Sequence, residues 1–213
     1  MNKSIVLAGD IFLMAFFWVF PHFGLLPIFA YPVLLLLICW LWLRLQKRDF
    51  STLGLIWSKT SARSLWLGVA FGIVYFLLYY FVIGPVLSRY LHVPKSNVSD
   101  FYFVRSSFSG YLTILVIAWA LAVPFEEIIF RGFIFYKLLQ WTGKQFWLSG
   151  FVCSLLFGAY HLQQGAGGVI HAFIFGMVTI LLYKFFKGNI WPLIFFHSAY
   201  DTVAITAIRL GYM

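Results

Sequence analysis

Charge is nearly absent from long stretches of this sequence, and that decides the solvent in which it can fold. Seven mostly apolar runs cover approximately residues 4–20, 23–43, 65–88, 111–139, 146–163, 167–184 and 189–208. A helix needs about 20 such residues to cross the hydrocarbon core of a bilayer. Of the whole chain 63% is hydrophobic and 10% is charged, where soluble domains carry about 25% charged residues. Such a chain cannot cover a water-facing surface, so lipid must be its solvent. The expected fold class is all-α: a polytopic transmembrane helix bundle of about seven membrane helices, or eight if a further half-buried one exists.

The expected organisation is one integrated membrane domain in two parts. Residues 1–110 supply about three membrane helices and a basic amphipathic linker over 44–63. Residues 111–208 supply the helices that carry ionisable side chains. Pro21 and Pro27 punctuate the first connection, 89–110 is the longest polar loop, and Pro124 is expected to kink the long fourth run. Asp10 interrupts the first run and no small-residue cleavage site follows it, so it reads as a retained helix.

Net charge is +9, yet the basic residues lie between apolar runs and form no nucleic-acid face. Basic loops at the inner membrane surface account for them. With the N-terminus inside, that side holds Lys3, Arg44, Lys47, Arg48, Lys59, Arg63, Lys137, Lys144, Lys184 and Lys187. The outer side holds Arg89, Lys95, Arg105 and Arg209. Ten against four favours a cytoplasmic N-terminus in a multi-pass protein of the cell (inner) membrane. Cys39 and Cys153 sit inside apolar runs without metal-type spacing and read as small core residues.

Ionisable side chains in a membrane core are costly, so each is a functional candidate. They gather in the C-terminal part: Glu126, Glu127 and Arg131 on the fourth run, His161 on the fifth, His171 on the sixth, His197 and Asp201 on the seventh. Glu127 and Arg131 are spaced i,i+4 and can pair on one helix face. Glu126 lies about 100° around the helix and is left free. His197 and Asp201 share a face in the same way, so that the Asp orients the imidazole or both reach one ligand. Glu126 and His161 each lie 17 or 18 residues from the middle of the turn near 141–145, which puts them at one level of an antiparallel pair. Along the seventh helix, His197 and Asp201 lie roughly 15 and 21 Å past Lys187. Asp10 and His171 read as packing residues.

The segments Glu126-Glu127-Ile-Ile-Phe-Arg131, Phe157-Gly-Ala-Tyr-His161 and His197-Ser-Ala-Tyr-Asp201 resemble the three signature motifs of the CAAX-protease and bacteriocin-processing (Abi) family. Gly188-Asn189-Ile190-Trp191-Pro192 fits the usual lead-in to the third. The resemblance covers about residues 111–205. It implies an intramembrane endopeptidase acting on a membrane-associated protein or peptide: a prenylated C-terminus, a bacteriocin or a C-terminal sorting signal. It makes Glu126 the general base, working with His161 on a water, with His197 and residue 201 facing the oxyanion. Asp201 stands where Asn is common, and an ionised Asp cannot donate a hydrogen bond. It therefore orients His197, stays protonated, or binds a metal. The cofactor expectation is either none or a divalent, zinc-like ion on Glu126, His161, His197 and Asp201; metal-free glutamate chemistry is preferred. The competing class is a non-catalytic immunity, transport or scaffold protein whose buried charges hold helices together or relay protons.

Overall fold

The computed structural model describes residues 2–27 and 30–213. Residues 28 and 29, within the expected second run, lie outside the described residues. Among the described residues seven principal helices follow in order: α1 (Lys3–Val19), α2 (Ala30–Leu45), α3 (Ala62–Leu91), α4 (Phe108–Trp141), α5 (Phe146–Tyr160), α6 (Gly165–Phe185) and α7 (Trp191–Arg209). No strand occurs among the described residues. Lys3–Phe23, Ala62–Leu91, Phe108–Trp141 and Leu162–Phe185 are each long and apolar enough to cross a membrane; Ala30–Leu45 and Phe146–Tyr160 are apolar but shorter. These helices mark an integral membrane protein. Its outward surface fits that solvent: Phe12, Trp66, Phe81 and Val116 are all exposed.

Helix starts follow local hydrogen-bond chemistry. Asn2 accepts from the Ser4 amide, Ser61 and Ser64 cap α3 reciprocally, and Ser107 accepts from the Gly110 amide at the start of α4. Each occupies donors that a helix N-terminus leaves unpaired. Proline shapes the two longest helices. A π turn at Tyr79–Ile83 lies just before Pro85, and another at Ala118–Ala122 just before Pro124. Proline lacks an N–H and crowds the carbonyl four residues back, and the wider π turn makes room for it. The irregularity expected at Pro124 thus takes the form of a widened turn.

In lipid, apolar surface alone does not drive helices together; close packing of small residues does. On α3, Gly68 and Gly72 lie against the Pro192 and Phe196 carbonyls of α7, with no room for a Cβ. On α5, a Cβ at Gly158 would stand 2.8 Å from the Val169 carbonyl of α6, and one at Gly176 of α6 would stand 3.0 Å from Ser154. The main core draws Leu13, Phe17, Leu35 and Tyr75 from the first part of the chain and Phe125, Phe130, Phe175 and Phe196 from the second.

Asp10 is a packing charge, as expected. Its partner corrects the loop tally. Lys137, expected among the inner-loop charges, is buried on α4, with its Nζ 2.8 Å from Asp10 Oδ2. Trp42 Nε1 donates to the other Asp10 oxygen at 2.8 Å. Two opposite charges 127 positions apart neutralise each other inside the bundle because neither can remain alone there.

Candidate active site

The first site segment starts where α4 recovers from Pro124. Glu126 closes a short α-helical turn, and Glu127–Ile134 then forms a π-helical stretch, every residue of it buried. Irregular helix of this kind is frequent at functional sites. Arg131 is 1% exposed, and such a charge needs partners on every side. Its Nη1 lies 3.3 Å from Glu127 Oε1, its Nη2 donates to Thr179 Oγ1 on α6 at 2.7 Å, and its Cζ lies 3.9 Å over the Phe157 ring. The i,i+4 pair expected from the spacing is therefore present, and Thr179 and Phe157 complete its surroundings.

Glu127 does more than neutralise Arg131. Its Oε1 accepts from His197 Nδ1 at 2.8 Å. The i,i+4 spacing offers Asp201 as a partner that orients the imidazole. In the structure Glu127 holds Nδ1, while Asp201 Oδ1 stands 3.7 Å from the other nitrogen, Nε2. Glu126 Oε2 lies 3.9 Å from that same Nε2. Glu126 makes no hydrogen bond among the described residues, so the neighbouring carboxylates do have different circumstances, one held and one free.

His161 ends α5 as its C-cap instead of lying inside the helix. A 3-10 turn over Leu162–Gln164 follows, and Gly165, at φ 73° and ψ −178°, opens α6 in a conformation that a side chain would not tolerate. His161 Nδ1 lies 2.9 Å from the Phe157 carbonyl. A carbonyl only accepts, so Nδ1 carries the proton and Nε2 of the neutral ring is left as a base. Phe157 ties the set together: its ring centroid is 4.7 Å from that of His161 and 6.3 Å from that of His197. This gives the Phe-x-x-x-His spacing a physical reason. One residue orients the imidazole through its carbonyl and receives the guanidinium on its ring.

All six expected site residues lie in this region, brought there by α4, α5 and α7. Exposure rises across the set: the side chains of Glu127, His197, Glu126 and Asp201 are 0%, 8%, 15% and 28% exposed. His171 stands apart, with its Nε2 2.9 Å from the Tyr200 hydroxyl and its ring 3.9 Å from that of Tyr79.

Residues 108–203 match the family described as type II CAAX prenyl endopeptidase Rce1-like. The match covers just under half of the chain. No curated protein and no solved structure matches the chain. The Rce1-like segment contains all three motifs, from Glu126 to Asp201, and the Pro124 turn that precedes them. It leaves α1 to α3 outside, although Gly68 and Gly72 of α3 support the helix that carries His197. Thr179, inside the Rce1-like segment, was not picked out from the sequence: a threonine in an apolar run carries no signal until the guanidinium is seen beside it.

Among the described residues, no group of three or more His, Cys, Asp and Glu side chains is arranged to hold a metal ion. Glu126 and Asp201 approach the same imidazole nitrogen at 3.9 and 3.7 Å, and the backbone bond of His161 Nδ1 leaves its Nε2 free. No chemical step is assigned to an ion.

Proposed function

We propose that the protein is a CAAX-type intramembrane endopeptidase that hydrolyses a peptide bond in a membrane-associated protein or peptide, with Glu126 as general base. The observation that carries this reading is the division of labour between adjacent carboxylates. Glu127 is enclosed, hydrogen-bonded to His197 and ion-paired with Arg131, whereas Glu126 is partly exposed, without a hydrogen bond and beside His197 Nε2. A carboxylate kept only to hold helices together would be paired, as Asp10 is with Lys137.

The chemistry follows from the hydrogen-bond inventory. A water held by Glu126 and His161 Nε2 gives one proton to Glu126 as its oxygen attacks the scissile carbonyl. His197, with Nδ1–H given to Glu127, presents Nε2–H as an imidazolium to the oxyanion that forms. Asp201, beside the same nitrogen, offsets the imidazolium charge. When the tetrahedral intermediate collapses, the C–N bond breaks and Glu126 returns its proton to the leaving amine. One water is consumed, and a carboxyl and an amine are released. The nine basic residues left at the ends of α1, α2, α5 and α6 and in the linker favour a cytoplasmic N-terminus in a protein of the cell membrane.

The test is reconstitution in liposomes with membrane-anchored peptides, a prenylated C-a-a-X peptide among them, followed by mass analysis of new chain ends. Ends produced by the parent protein and not by Glu126→Gln support the reading. Ends produced by both proteins, or by neither, contradict it.

A further inference from the structure

The contacts between loops sort them into two ends of the bundle. At one end the Ile190 amide donates to the Gly54 carbonyl, Asn189 Nδ2 donates to Thr60 Oγ1, Arg48 donates to the Tyr136 hydroxyl, and Lys184 covers the Trp147 ring. This end therefore holds the 46–61 linker, the 142–145 turn and the 186–190 turn. At the other end the Asn97 amide donates to the Gln164 carbonyl, Arg105 reaches the Ile208 carbonyl, and Arg209 reaches the Val104 carbonyl. With Lys137 and Arg131 buried, the remaining basic residues divide unevenly. Lys3, Arg44, Lys47, Arg48, Lys59, Arg63, Lys144, Lys184 and Lys187 belong to the first end; Arg89, Lys95, Arg105 and Arg209 belong to the second. Short loops rich in Lys and Arg remain in the cytoplasm.

The site opens toward the second end. Helix α7 runs from the first end to the second, and side-chain exposure climbs along it from 8% at His197 to 28% at Asp201, about 6 Å further on. On the near side of His197, Leu193 and Ile194 are buried. Helix α4 runs the opposite way, and Glu126, on the second-end side, is 15% exposed while Glu127 and Arg131 beyond it are enclosed. His161 closes α5 at the second end. There a cavity of about 550 Å³ is lined by Asp100, Ser107, Thr113 and Ile117 and by Gln163 and Gln164, which follow His161. Phe101, Phe103 and Ile114 complete a lining that is more apolar than polar, which suits an amphipathic peptide segment with Asp100, Ser107 and the two Gln amides as its polar contacts.

We propose that the site is entered from this second end, that this end faces away from the cytoplasm, and that the substrate is a membrane-anchored chain whose scissile segment is exposed on the extracytoplasmic side. The proposal rests on the endopeptidase reading for what happens to that segment, and on charge and exposure for where it arrives. Exported or surface-anchored peptides are the class that fits this orientation.

Single-cysteine labelling in intact cells tests it. The parent protein, whose Cys39 and Cys153 are both buried, serves as the blank. A membrane-impermeant maleimide is expected to label Thr113→Cys and Asp201→Cys in intact cells, and Lys144→Cys only after permeabilisation. Labelling of Lys144→Cys in intact cells, with Thr113→Cys silent until permeabilisation, would overturn the orientation. Asp201→Cys that reacts from the Lys144 side, or from neither side in protein that accumulates normally, would overturn the direction of opening. If Asp201→Cys does not accumulate, Glu126→Cys is read in its place by the same criteria. None of these readouts needs catalysis. A protein that cleaves nothing in liposomes would sink the endopeptidase reading and leave the labelling pattern standing.

Discussion

His197 on α7 gives its Nδ1 hydrogen to Glu127 on α4 across 2.8 Å, and Glu127 in turn faces Arg131 one turn further along its own helix. This relay, enclosed by the Phe157 ring and Thr179, fixes which imidazole nitrogen reaches the open part of the site. It separates a holding carboxylate from a reacting one within two consecutive residues.

Arg131→Ala is expected to lower both activity and protein level. It leaves Glu127 buried with only His197 as partner, and breaking a buried ion pair by removing one side costs about 3–5 kcal/mol. Thr179→Val removes one hydrogen bond to the guanidinium and should cost less, about 1–3 kcal/mol. Thermal unfolding in detergent, read beside cleavage rate, checks both. Equal stability of Arg131→Ala and the parent would show that the relay does not hold the site.

Gly72→Ala is expected to force α3 off α7, because its Cβ would enter the Phe196 carbonyl, one residue before His197. Overpacking of this kind costs about 1–3 kcal/mol, and the displacement should reduce activity even though α3 lies outside the Rce1-like segment. Retention of parent activity and melting temperature in Gly72→Ala would contradict the close approach.

Removing either member of the buried pair, as in Asp10→Leu or Lys137→Met, should destabilise by about 3–5 kcal/mol, while the double variant should recover most of the loss. The pair lies apart from the site residues, so the double variant should keep its turnover. A double variant as unstable as the singles would show that the pair is not an isolated unit.

Much of the site was legible because i,i+4 spacing and helix length are sequence properties. The Glu127–Arg131 pair and the gathering of Glu126, Glu127, His197 and Asp201 both follow from them. The Glu127–His197 bond was not legible. It depends on how α4 and α7 are rotated about their axes, and the π-helical stretch over Glu127–Ile134 changes that rotation in a way no spacing rule gives. Gly68-x-x-x-Gly72 was readable as a small-residue packing face and was missed. Lys137 was misplaced because charges near the end of an apolar run look alike until a buried partner is found.

Asp201 separates two mechanisms. Without a metal, Asp201→Asn places an amide donor beside the oxyanion position, so activity should be kept or raised and 1,10-phenanthroline should have little effect on the parent protein. With a metal, the neutral amide is a poorer ligand; activity should fall, return in part with added ion, and be lost on chelation. One oxyanion donor is worth about 2.7–4 kcal/mol in barrier, large enough for a rate assay to resolve. A stoichiometric metal lost together with activity would contradict the metal-free chemistry.

The most direct measurement is the single-turnover cleavage rate of Glu126→Gln in liposomes, taken beside its melting temperature. Glu126 has no hydrogen bond to lose among the described residues, so the variant should melt with the parent. General-base catalysis contributes about 10²–10⁴-fold, so cleavage should fall by at least that much. A Glu126→Gln protein that folds normally and cleaves at the parent rate would show that Glu126 is not the base.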